Sequence, residues 1–326
     1  MYLVEACVGC ESKRLLLLPA VIAPFIQTYV LDAAARGEPT LTSEVKLCIC
    51  HDCELAFYDL RFTEDEIGRL YAGYRSDAYY RARHRVEPFY TRGINAAIGA
   101  DSETITLRRN TVGDFLFSET SEQPPRSVLD FGGDAGQFIP EWEGVTKYVY
   151  EISDVTPLAG VERVADLAHL KQPVDLVILA HVLEHASDPL GMLRALAPLT
   201  QPGGWLYVEV PLDRPQPPPR HFRFLHRRWV SAVSKSRGRT IVADLVSTPL
   251  RVLFRGRWTP FTFPKLHEHL NHFSTASLAA SLSSAGWEPL TSMTYVMGSG
   301  PLKVEALGML GRLREPASVH AEGAPR

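Results

Sequence analysis

The sequence predicts an α/β protein in which a doubly wound, mostly parallel sheet follows a small cysteine-rich module. Two observations lead to this fold class. Between residues 126 and 212, short apolar runs rich in β-branched residues alternate with stretches long enough for crossover helices, which is typical of a parallel sheet buried on both faces. All 5 cysteines lie before residue 54, and such crowding favours metal ligation over a disulfide framework.

Length and composition indicate more than one folded unit. The 326 residues exceed the ~100 to 200 of a typical domain. With 45% hydrophobic and 22% charged residues, usage is ordinary, which excludes a wholly disordered, collagen-like or disulfide-dense secreted chain. The patterns divide the chain into a cysteine module at 1–85, a helical linker or lid at 86–125, a main domain at 126–310 with a basic insertion at 214–265, and a flexible tail at 311–326.

The first residues have none of the features of an export signal. The apolar run from Leu15 to Ile26 is broken by Pro19 and Pro24, and it is shorter than the ~20 residues of a membrane-spanning helix. An acid and two cysteines stand where a secretory signal has a basic start. We therefore expect a cytoplasmic protein, with membrane association left open by the basic insertion.

Four apolar runs predict the strands of the main sheet: 127–131, 147–151, 174–180 and 205–210. A helix is expected to begin after the first run, beyond a glycine-rich turn. Near the carboxyl end, Ser274 can cap a helix whose apolar residues have helical spacing, and Gly286 stops it before a further strand.

The glycine-rich turn SVLDFGGDAG, residues 127–136, is the most informative segment. A strand ends at Asp130 and turns through glycines that let the backbone approach a ligand closely. A second strand ends in Glu151, where a carboxylate can accept hydrogen bonds from the two ribose hydroxyls of an adenosine ligand. Tight packing alone is the alternative explanation of the glycines.

Residues 127–212 resemble a class I S-adenosylmethionine-dependent methyltransferase. The turn DFGGDAG stands where that family has D-x-G-x-G-x-G, with Asp134 at the middle glycine position, and three later motifs follow in the family order at 164–170, 175–189 and 201–211. The resemblance implies a Rossmann-like methyltransferase fold and S-adenosylmethionine as cofactor. The turn, its acidic partner and the resemblance together give these cofactor-binding residues: Asp130, Gly132, Gly133, Gly136, Glu151, Asp166 and His181.

Histidines near the expected acceptor site are candidates for a general base. A sulfonium methyl is already a strong electrophile, so the protein must mainly align a nucleophile and remove its proton, which a His with a pKa of ~6.5 can do near neutral pH. Residues 265–274, KLHEHLNHFS, resemble the approach to the last sheet helix in related methyltransferases. We favour His269 or His272 as the catalytic base, with loop hydrogen bonding as the alternative, and interpret His185 as a packed turn residue.

Two C-x-x-C pairs predict a structural zinc site with the ligands Cys7, Cys10, Cys50 and Cys53. Cys48 is a spare thiol that could compete with Cys50. Free buried thiols and redox chemistry are the alternatives. Because metal binding contributes folding energy to small modules, we expect the ion to stabilise the module rather than to catalyse.

Residues 47–83 resemble the amino-terminal zinc-binding domain that is joined to the methyltransferase core in sugar C-methyltransferases. This resemblance implies a sugar as acceptor. The same segment has four closely spaced tyrosines, which form either a lid over the cofactor or an aromatic face packed on the core: Tyr71, Tyr74, Tyr79 and Tyr80.

The insertion at 214–265 is strongly basic within a chain whose formal net charge is -3. It has twelve Lys or Arg residues and a single acid, Asp244, together with several aromatic side chains. We hypothesise that it recruits an anionic acceptor, such as a nucleotide-diphosphate sugar or a lipid-linked phosphorylated glycan, and makes peripheral contact with an anionic membrane. A solvated helical hairpin without a ligand is the alternative.

The leading function is S-adenosylmethionine-dependent methyl transfer to a polar, anionic small-molecule or lipid-linked acceptor such as a sugar. RNA methylation is the second hypothesis, but the acidic remainder of the chain disfavours a nucleic-acid partner. A non-catalytic scaffold that keeps the fold is the third, and Asp134 at the glycine position is its only support.

Overall fold

The amino-terminal part forms short strands before any long helix. The structure, a computed structural model, describes residues 1–31, 45–71, 73–98, 101–153, 155–212, 215–254, 259–298 and 303–314. The first elements are β1 (Tyr2–Leu3), β2 (Leu15–Ile22), α1 (Pro24–Ile26), β3 (Val45–Cys50), β4 (Ala56–Tyr58) and β5 (Leu60–Arg61). Four helices follow: α2 (Glu64–Tyr71), α3 (Asp77–Val86), α4 (Arg92–Ala97) and α5 (Ser102–Glu119).

The main domain begins with the predicted strands. Its elements up to the insertion are β6 (Ser127–Phe131), β7 (Thr146–Tyr150), β8 (Val161–Arg163), β9 (Val174–Ala180), α6 (Pro189–Leu196) and β10 (Thr200–Pro211). The remaining elements are α7 (Arg223–Ser234), α8 (Arg237–Leu253), β11 (Lys265–Leu266), β12 (Asn271–His272), α9 (Thr275–Ser284), β13 (Trp287–Met297) and β14 (Val304–Leu313).

Seven strands form the main sheet in the order β13-β14-β10-β9-β6-β7-β8. The strands from β10 to β8 pair in parallel, and β14 and β13 add an antiparallel edge. Helices α6 and α9 bury Leu193 and Leu282 on one face, while α5 buries Leu116 on the other. The predicted mostly parallel α/β sheet with helices on both faces is confirmed.

Helix α9 has the predicted ends. The Ser274 hydroxyl accepts a hydrogen bond from the Ser277 amide at 3.1 Å, which caps the helix, and Gly286 adopts φ +93° directly after it.

The prediction of a helix after the glycine turn is wrong. Residues 132–145, all of them described, contain turns and no helix between β6 and β7. Only Gln137, Phe138 and Ile139 separate Gly136 from Pro140, and a proline there blocks continuation of a helical turn. The loop that follows β6 is therefore held by side-chain hydrogen bonds rather than by a helix.

A second sheet joins distant parts of the chain. Its order is β11-β2-β3-β4-β12, so strands from the amino-terminal module pair with two short strands from residues 265–272. The segment that contains the candidate bases is thereby fixed to the amino-terminal module. The predicted domain boundaries stay a prediction, and β14 extends to Leu313, beyond the predicted start of the tail.

Arg61 fastens this second sheet to the turn after β9. Its guanidinium is fully buried and donates hydrogen bonds to Ala186 O at 2.6 Å and Asn271 Oδ1 at 2.8 Å, among other acceptors. Asn271 in turn donates to Leu183 O at 3.1 Å and Ala186 O at 2.8 Å. Because all these acceptors are buried, removal of either side chain would leave polar groups unsatisfied. The two sheets thus hold the turn at 181–187 between them.

The basic insertion folds mainly as α7 and α8. Arg214, Arg255, Arg257 and Trp258 of the insertion lie outside the described residues. In the part of the chain that is described, none of the helices combines the length and the apolar character needed to cross a bilayer. A cytoplasmic location stays a prediction.

Candidate active site and metal centre

The loop after β6 has a backbone that only some residues adopt. Gly132 and Gly136 have φ +74° and +78°, and Asp134 between them has φ +57°. Asp is among the residues that tolerate this left-handed region, which explains how it replaces the middle glycine of the family pattern. The Asp134 carboxylate accepts a hydrogen bond from Gln137 at 3.2 Å and lies 3.3 Å from Arg75.

Position 133 requires glycine because any side chain there would collide with Asp130. A Cβ atom at position 133 would lie 2.2 Å from the Asp130 carboxyl group. Burial raises the pKa of Asp130 to about 7, and its Oδ2 has no hydrogen-bond partner among the described residues. A buried oxygen without a partner next to a glycine cradle fits a site that receives a polar ligand group.

Glu151 follows β7 and braces the loop. Its Oε2 accepts a hydrogen bond from the Asp134 amide at 3.1 Å, and its Oε1 accepts one from the Ser153 amide at 2.8 Å. Each carboxylate oxygen has a further lone pair, so the group can still accept from ribose hydroxyls. The glycine turn and Glu151 are thus brought together as the sequence predicts, and their donor and acceptor groups fit an adenosine ligand.

Asp166 and His181 occupy different surroundings. Asp166 is exposed and caps a short helical turn by accepting a hydrogen bond from the Ala168 amide at 3.0 Å. His181 follows β9 with φ +56°. Its Nδ1 lies 3.3 Å from Glu184 Oε1, and its Nε2 lies 3.0 Å from Glu209 Oε1. The contacts of these two residues with the cofactor stay a prediction.

The two neighbouring glutamates favour the protonated form of His181. Burial alone would lower its pKa, but the contacts with Glu184 and Glu209 outweigh burial and raise the pKa to about 9. An imidazolium cannot accept a proton, so His181 is unsuited to act as a general base. It is suited to compensate the charge of the two glutamates.

A buried polar network below His181 was missed by sequence reasoning. Arg108 of α5 donates to Glu209 Oε1 at 2.7 Å, and Tyr207 and Tyr295 each donate to Glu209 Oε2 at 2.8 Å. Glu209 is fully buried. A charged residue in the apolar run at 205–210 was the available signal, because such a residue needs a partner when the strand is buried. Its partner Arg108 is distant in sequence and could not be identified.

Three side chains meet at the carboxyl end of β9: Glu184, His185 and His269. Their potential ligand or proton-accepting atoms lie within 4.8 Å of one another, and the rings of His185 and His269 are 4.8 Å apart. His185 Nδ1 lies 3.0 Å from the Glu268 carbonyl oxygen, so it can donate there and leave Nε2 as an acceptor. Burial and the neighbouring His185 lower the pKa of His269 to about 4. His269 is therefore neutral at physiological pH.

His272, the other predicted base, is not part of this cluster, although it is near enough to His269 to lower the pKa of that residue. It belongs to β12, where it is opposite Ala56 of β4, and its ring is 5.9 Å from the ring of Tyr58. The structure thus brings His269 next to Glu184 and His185 but places His272 in the second sheet.

The tyrosine cluster is mostly packed. Tyr79 is fully buried among aromatic rings and donates a short hydrogen bond to Glu268, which also accepts from Arg83 at 3.0 Å. Tyr71 is partly buried, and its ring is 5.8 Å from that of His185. Tyr79 therefore has the packing role that was the alternative to a lid, while Tyr71 borders the histidine cluster.

The four predicted metal ligands converge. The Sγ atoms of Cys7 and Cys53 are 3.5 Å apart, those of Cys10 and Cys50 are 3.6 Å apart, and all four lie within 4.8 Å of one another. Zn–S bonds of about 2.3 Å in a tetrahedron place sulfur atoms about 3.8 Å apart, whereas a disulfide would need about 2.05 Å. The arrangement fits a tetrahedral metal ion and not a pair of disulfides.

The two C-x-x-C turns have matching geometry. The Glu11 amide donates to Cys7 O and the Glu54 amide to Cys50 O, at 2.8 and 3.1 Å, and both glutamates have left-handed φ values of 62° and 66°. The amides of Gly9 and Asp52 each approach a cysteine Sγ at 3.4 Å. Cys48 is buried in β3 and lies outside the cluster, so it does not compete with Cys50.

The fold and this site define a class I methyltransferase. A family model described as methyltransferase domain matches residues 108–292, more than half of the chain. The chain therefore belongs to the methyltransferase-domain family, and it is an S-adenosylmethionine-dependent methyltransferase. No curated protein matches the sequence.

Solved structures of methyltransferases are similar to the chain at low identity. The Burkholderia thailandensis 1,6-didemethyltoxoflavin-N1-methyltransferase with bound S-adenosylhomocysteine is 14% identical, with 84% of this chain and 97% of that chain covered and a TM-score of 0.43. The N-methyltransferase NodS from Bradyrhizobium japonicum is 14% identical, with 66% and 90% covered and a TM-score of 0.38. The magnesium protoporphyrin IX methyltransferase from Synechocystis is 16% identical, with 65% and 86% covered and a TM-score of 0.37.

Gly133→Ala is expected to weaken S-adenosylmethionine binding by about 5- to 150-fold, as overpacking by a methyl group costs about 1 to 3 kcal/mol. The added methyl group would meet the Asp130 carboxyl group, which is buried in β6 and cannot move aside, so the loop must shift. Titration calorimetry measures the change. Gly68→Ala, in α2 with open space around its Cβ position, is the matched control and should bind as the wild type does. Wild-type affinity of Gly133→Ala would contradict the assigned cofactor loop.

Proposed function

We propose that the chain methylates a polar acceptor next to the cluster of Glu184, His185 and His269. The acceptor is a small or lipid-linked molecule, and a sugar is the leading candidate. One observation supports this proposal above the others: a neutral histidine and a buried carboxylate meet at the carboxyl end of β9, at the edge of the sheet where ligands bind in open α/β folds.

S-adenosylmethionine, when bound, supplies a methyl group on a positively charged sulfur. The residues for holding it are the loop at 132–136, Glu151 and Asp166. His269 would remove a proton from the acceptor hydroxyl, amine or carbon acid as the acceptor atom bonds to the methyl carbon; the carbon–sulfur bond of the cofactor would break, and its electron pair would stay on the sulfur. The proton remains on the His269 ring, and the nearby Glu184 carboxylate stabilises the resulting imidazolium.

Acceptor polarity agrees with the groups around the cluster. Tyr71 has a buried hydroxyl with no hydrogen-bond partner among the described residues, and Glu184 has two carboxylate oxygens without a well-aligned donor. These groups can bind the hydroxyls of a sugar-like acceptor. The resemblance of the amino-terminal segment to sugar C-methyltransferases supports the same choice.

We also propose that Cys7, Cys10, Cys50 and Cys53 bind a structural zinc ion. All four sulfur atoms lie within 4.8 Å of one another, two pairs are 3.5 and 3.6 Å apart, and backbone amides approach two of the sulfurs, which suits thiolate coordination of one ion. The site is in the amino-terminal module, away from the histidine cluster in sequence, which fits a stabilising role.

Incubation of the purified protein with methyl-labelled donor and cell extract tests the proposed acceptor. After separation into glycan, lipid, RNA and protein fractions, label is expected in the glycan or glycolipid fraction, and Gly133→Ala should abolish most of it. Label confined to RNA or protein would reject the sugar acceptor. Absence of both label and calorimetric binding of S-adenosylmethionine would reject the enzymatic function and favour a scaffold.

A further inference from the structure

Helices α7 and α8 form a hairpin, here called the basic hairpin, with charges of one sign on its surface. Its exposed Lys and Arg residues are Arg220, Arg227, Arg228, Lys235, Arg237, Arg239 and Arg251. Asp244 is the only acid among the described residues of the insertion, and it is buried and lies 2.9 Å from the Lys265 ammonium group. The charged groups on the described surface of the hairpin are therefore all basic.

Helix α8 has its apolar side towards solvent. Large apolar residues and a proline recur with helical spacing and are all exposed: Val242, Leu245, Val246, Pro249, Val252 and Leu253. The residues it buries are smaller or polar: Thr240, Ala243, Asp244 and Ser247. Val252 and Leu253 are 75% and 73% exposed. A helix that packs only on its own protein has the opposite distribution.

The exposed apolar side continues around the hairpin. Phe224 of α7 is 67% exposed and Phe261 is 58% exposed. A groove of about 750 Å³ between α7 and α8 is lined mostly by apolar side chains, among them Trp229, Val233, Val242, Val246 and Phe261. A continuous apolar surface of this kind marks an interaction site rather than an ordinary solvated surface.

The opposite side of the hairpin is fixed to the rest of the molecule. Val230 and Val233 of α7 are buried against Val21 of β2, and Asp244 of α8 pairs with Lys265 of β11. The exposed residues are therefore not needed to hold the hairpin in place, and the apolar side remains available to a partner.

We propose that this side of the basic hairpin lies on an anionic lipid bilayer. The partner must bury exposed Phe, Leu and Val side chains in an apolar region, and it must have negative charges that attract the arginines. A bilayer with anionic headgroups meets both requirements, because apolar side chains enter the acyl boundary while Lys and Arg remain at the phosphates. None of the helices in the described ranges crosses the bilayer in this arrangement. Lys265, which pairs with Asp244 of α8, is four residues before the candidate base His269, so the active site would operate near the membrane surface.

Vesicle sedimentation of the full chain tests the proposal. The protein is expected to bind vesicles of equal parts phosphatidylcholine and phosphatidylglycerol and to leave vesicles of phosphatidylcholine alone largely unbound. Arg227→Glu with Arg228→Glu should weaken binding at least about tenfold, since each basic residue near an anionic surface contributes about fivefold. Val246→Ser with Leu253→Ser should also weaken it at least about tenfold, because two apolar side chains lose their burial.

Matched double variants control for surface charge and apolar exposure elsewhere. Lys171→Glu with Lys303→Glu, and Leu107→Ser with Phe117→Ser, replace exposed residues outside the hairpin and should bind as the wild type does. Equal binding to both vesicle types, no binding to either, or unchanged binding of the hairpin variants would overturn the proposal. So would hairpin variants that change only the oligomeric state in light scattering, since the surface would then bind a second copy. These results do not depend on the acceptor and leave the proposed function separately testable.

Discussion

Removal of zinc by a strong chelator is expected to unfold the amino-terminal sheet and to abolish methyl transfer. Apparent binding energies of about 10 to 16 kcal/mol accompany structural zinc in small modules, which is as large as the whole stability of a typical domain. Three of the proposed ligands, Cys7, Cys50 and Cys53, are buried in the same apolar cluster as Leu129 and Leu206 of the main sheet. Loss of the ion would therefore disturb the main domain as well as the module.

Zinc content by mass spectrometry and the thermal unfolding midpoint check this result. Cys53→Ser is expected to lose the ion and to unfold at a markedly lower temperature. Cys48→Ala is the matched control, because Cys48 is equally buried in β3 but lies outside the four-cysteine cluster. It should keep one zinc per chain. A substoichiometric zinc content in the purified protein, or an unfolding midpoint that chelation leaves unchanged, would reject the zinc site.

His269→Ala is expected to lower kcat by about 100- to 10,000-fold, the usual contribution of a general base. The affinity for S-adenosylmethionine, measured by titration calorimetry, should stay within about twofold of the wild-type value, because His269 is not part of the cofactor loop that follows β6. His272→Ala is the matched control and should retain most of kcat, since His272 is in the second sheet next to Tyr58. Equal losses in the two variants would indicate a structural effect and contradict the assignment.

The pH dependence of kcat/KM gives an independent test of His269. Because burial and the neighbouring His185 lower its pKa to about 4, its neutral form persists as the pH falls from 7 towards 5. Glu184 and Glu268 also face this group and raise its pKa, and His272 lowers it, but all three effects are smaller than that of burial. The rate constant should stay level through the ordinary histidine range and fall only near pH 4. An acidic limb centred near an unperturbed ~6.5 would assign the base to another histidine.

Local patterns predicted the main strands and helix α9 correctly, and they selected four cysteines that lie together in the structure. Each of these depends on neighbours in sequence: alternation of apolar residues, a serine cap with a glycine stop, or two residues between ligands. The prediction of a helix after the glycine turn was wrong for an equally local reason, because Pro140 comes too soon after Gly136 to permit a helix.

Contacts between distant residues could not be predicted. The pairing of β11 with β2 and of β12 with β4 involves strands of two residues, which have no recognisable periodicity. The contacts of Arg108 with Glu209 and of His269 with Glu184 could not be predicted either, because only the fold brings these residues together. The sequence therefore indicates both His269 and His272 as candidate bases, and only their positions in the structure distinguish the two candidates.

The pairing of residues 265–272 with the amino-terminal strands has a practical consequence for dissecting the molecule. A fragment ending near residue 85 would lack the strands on both sides of β2-β3-β4 and would leave two open backbone edges, which tend to aggregate. The complementary fragment would lose the partners of β11 and β12, and with them the support of its candidate base. Neither half is expected to report faithfully on the intact enzyme, and truncation is a poor way to assign roles to its parts.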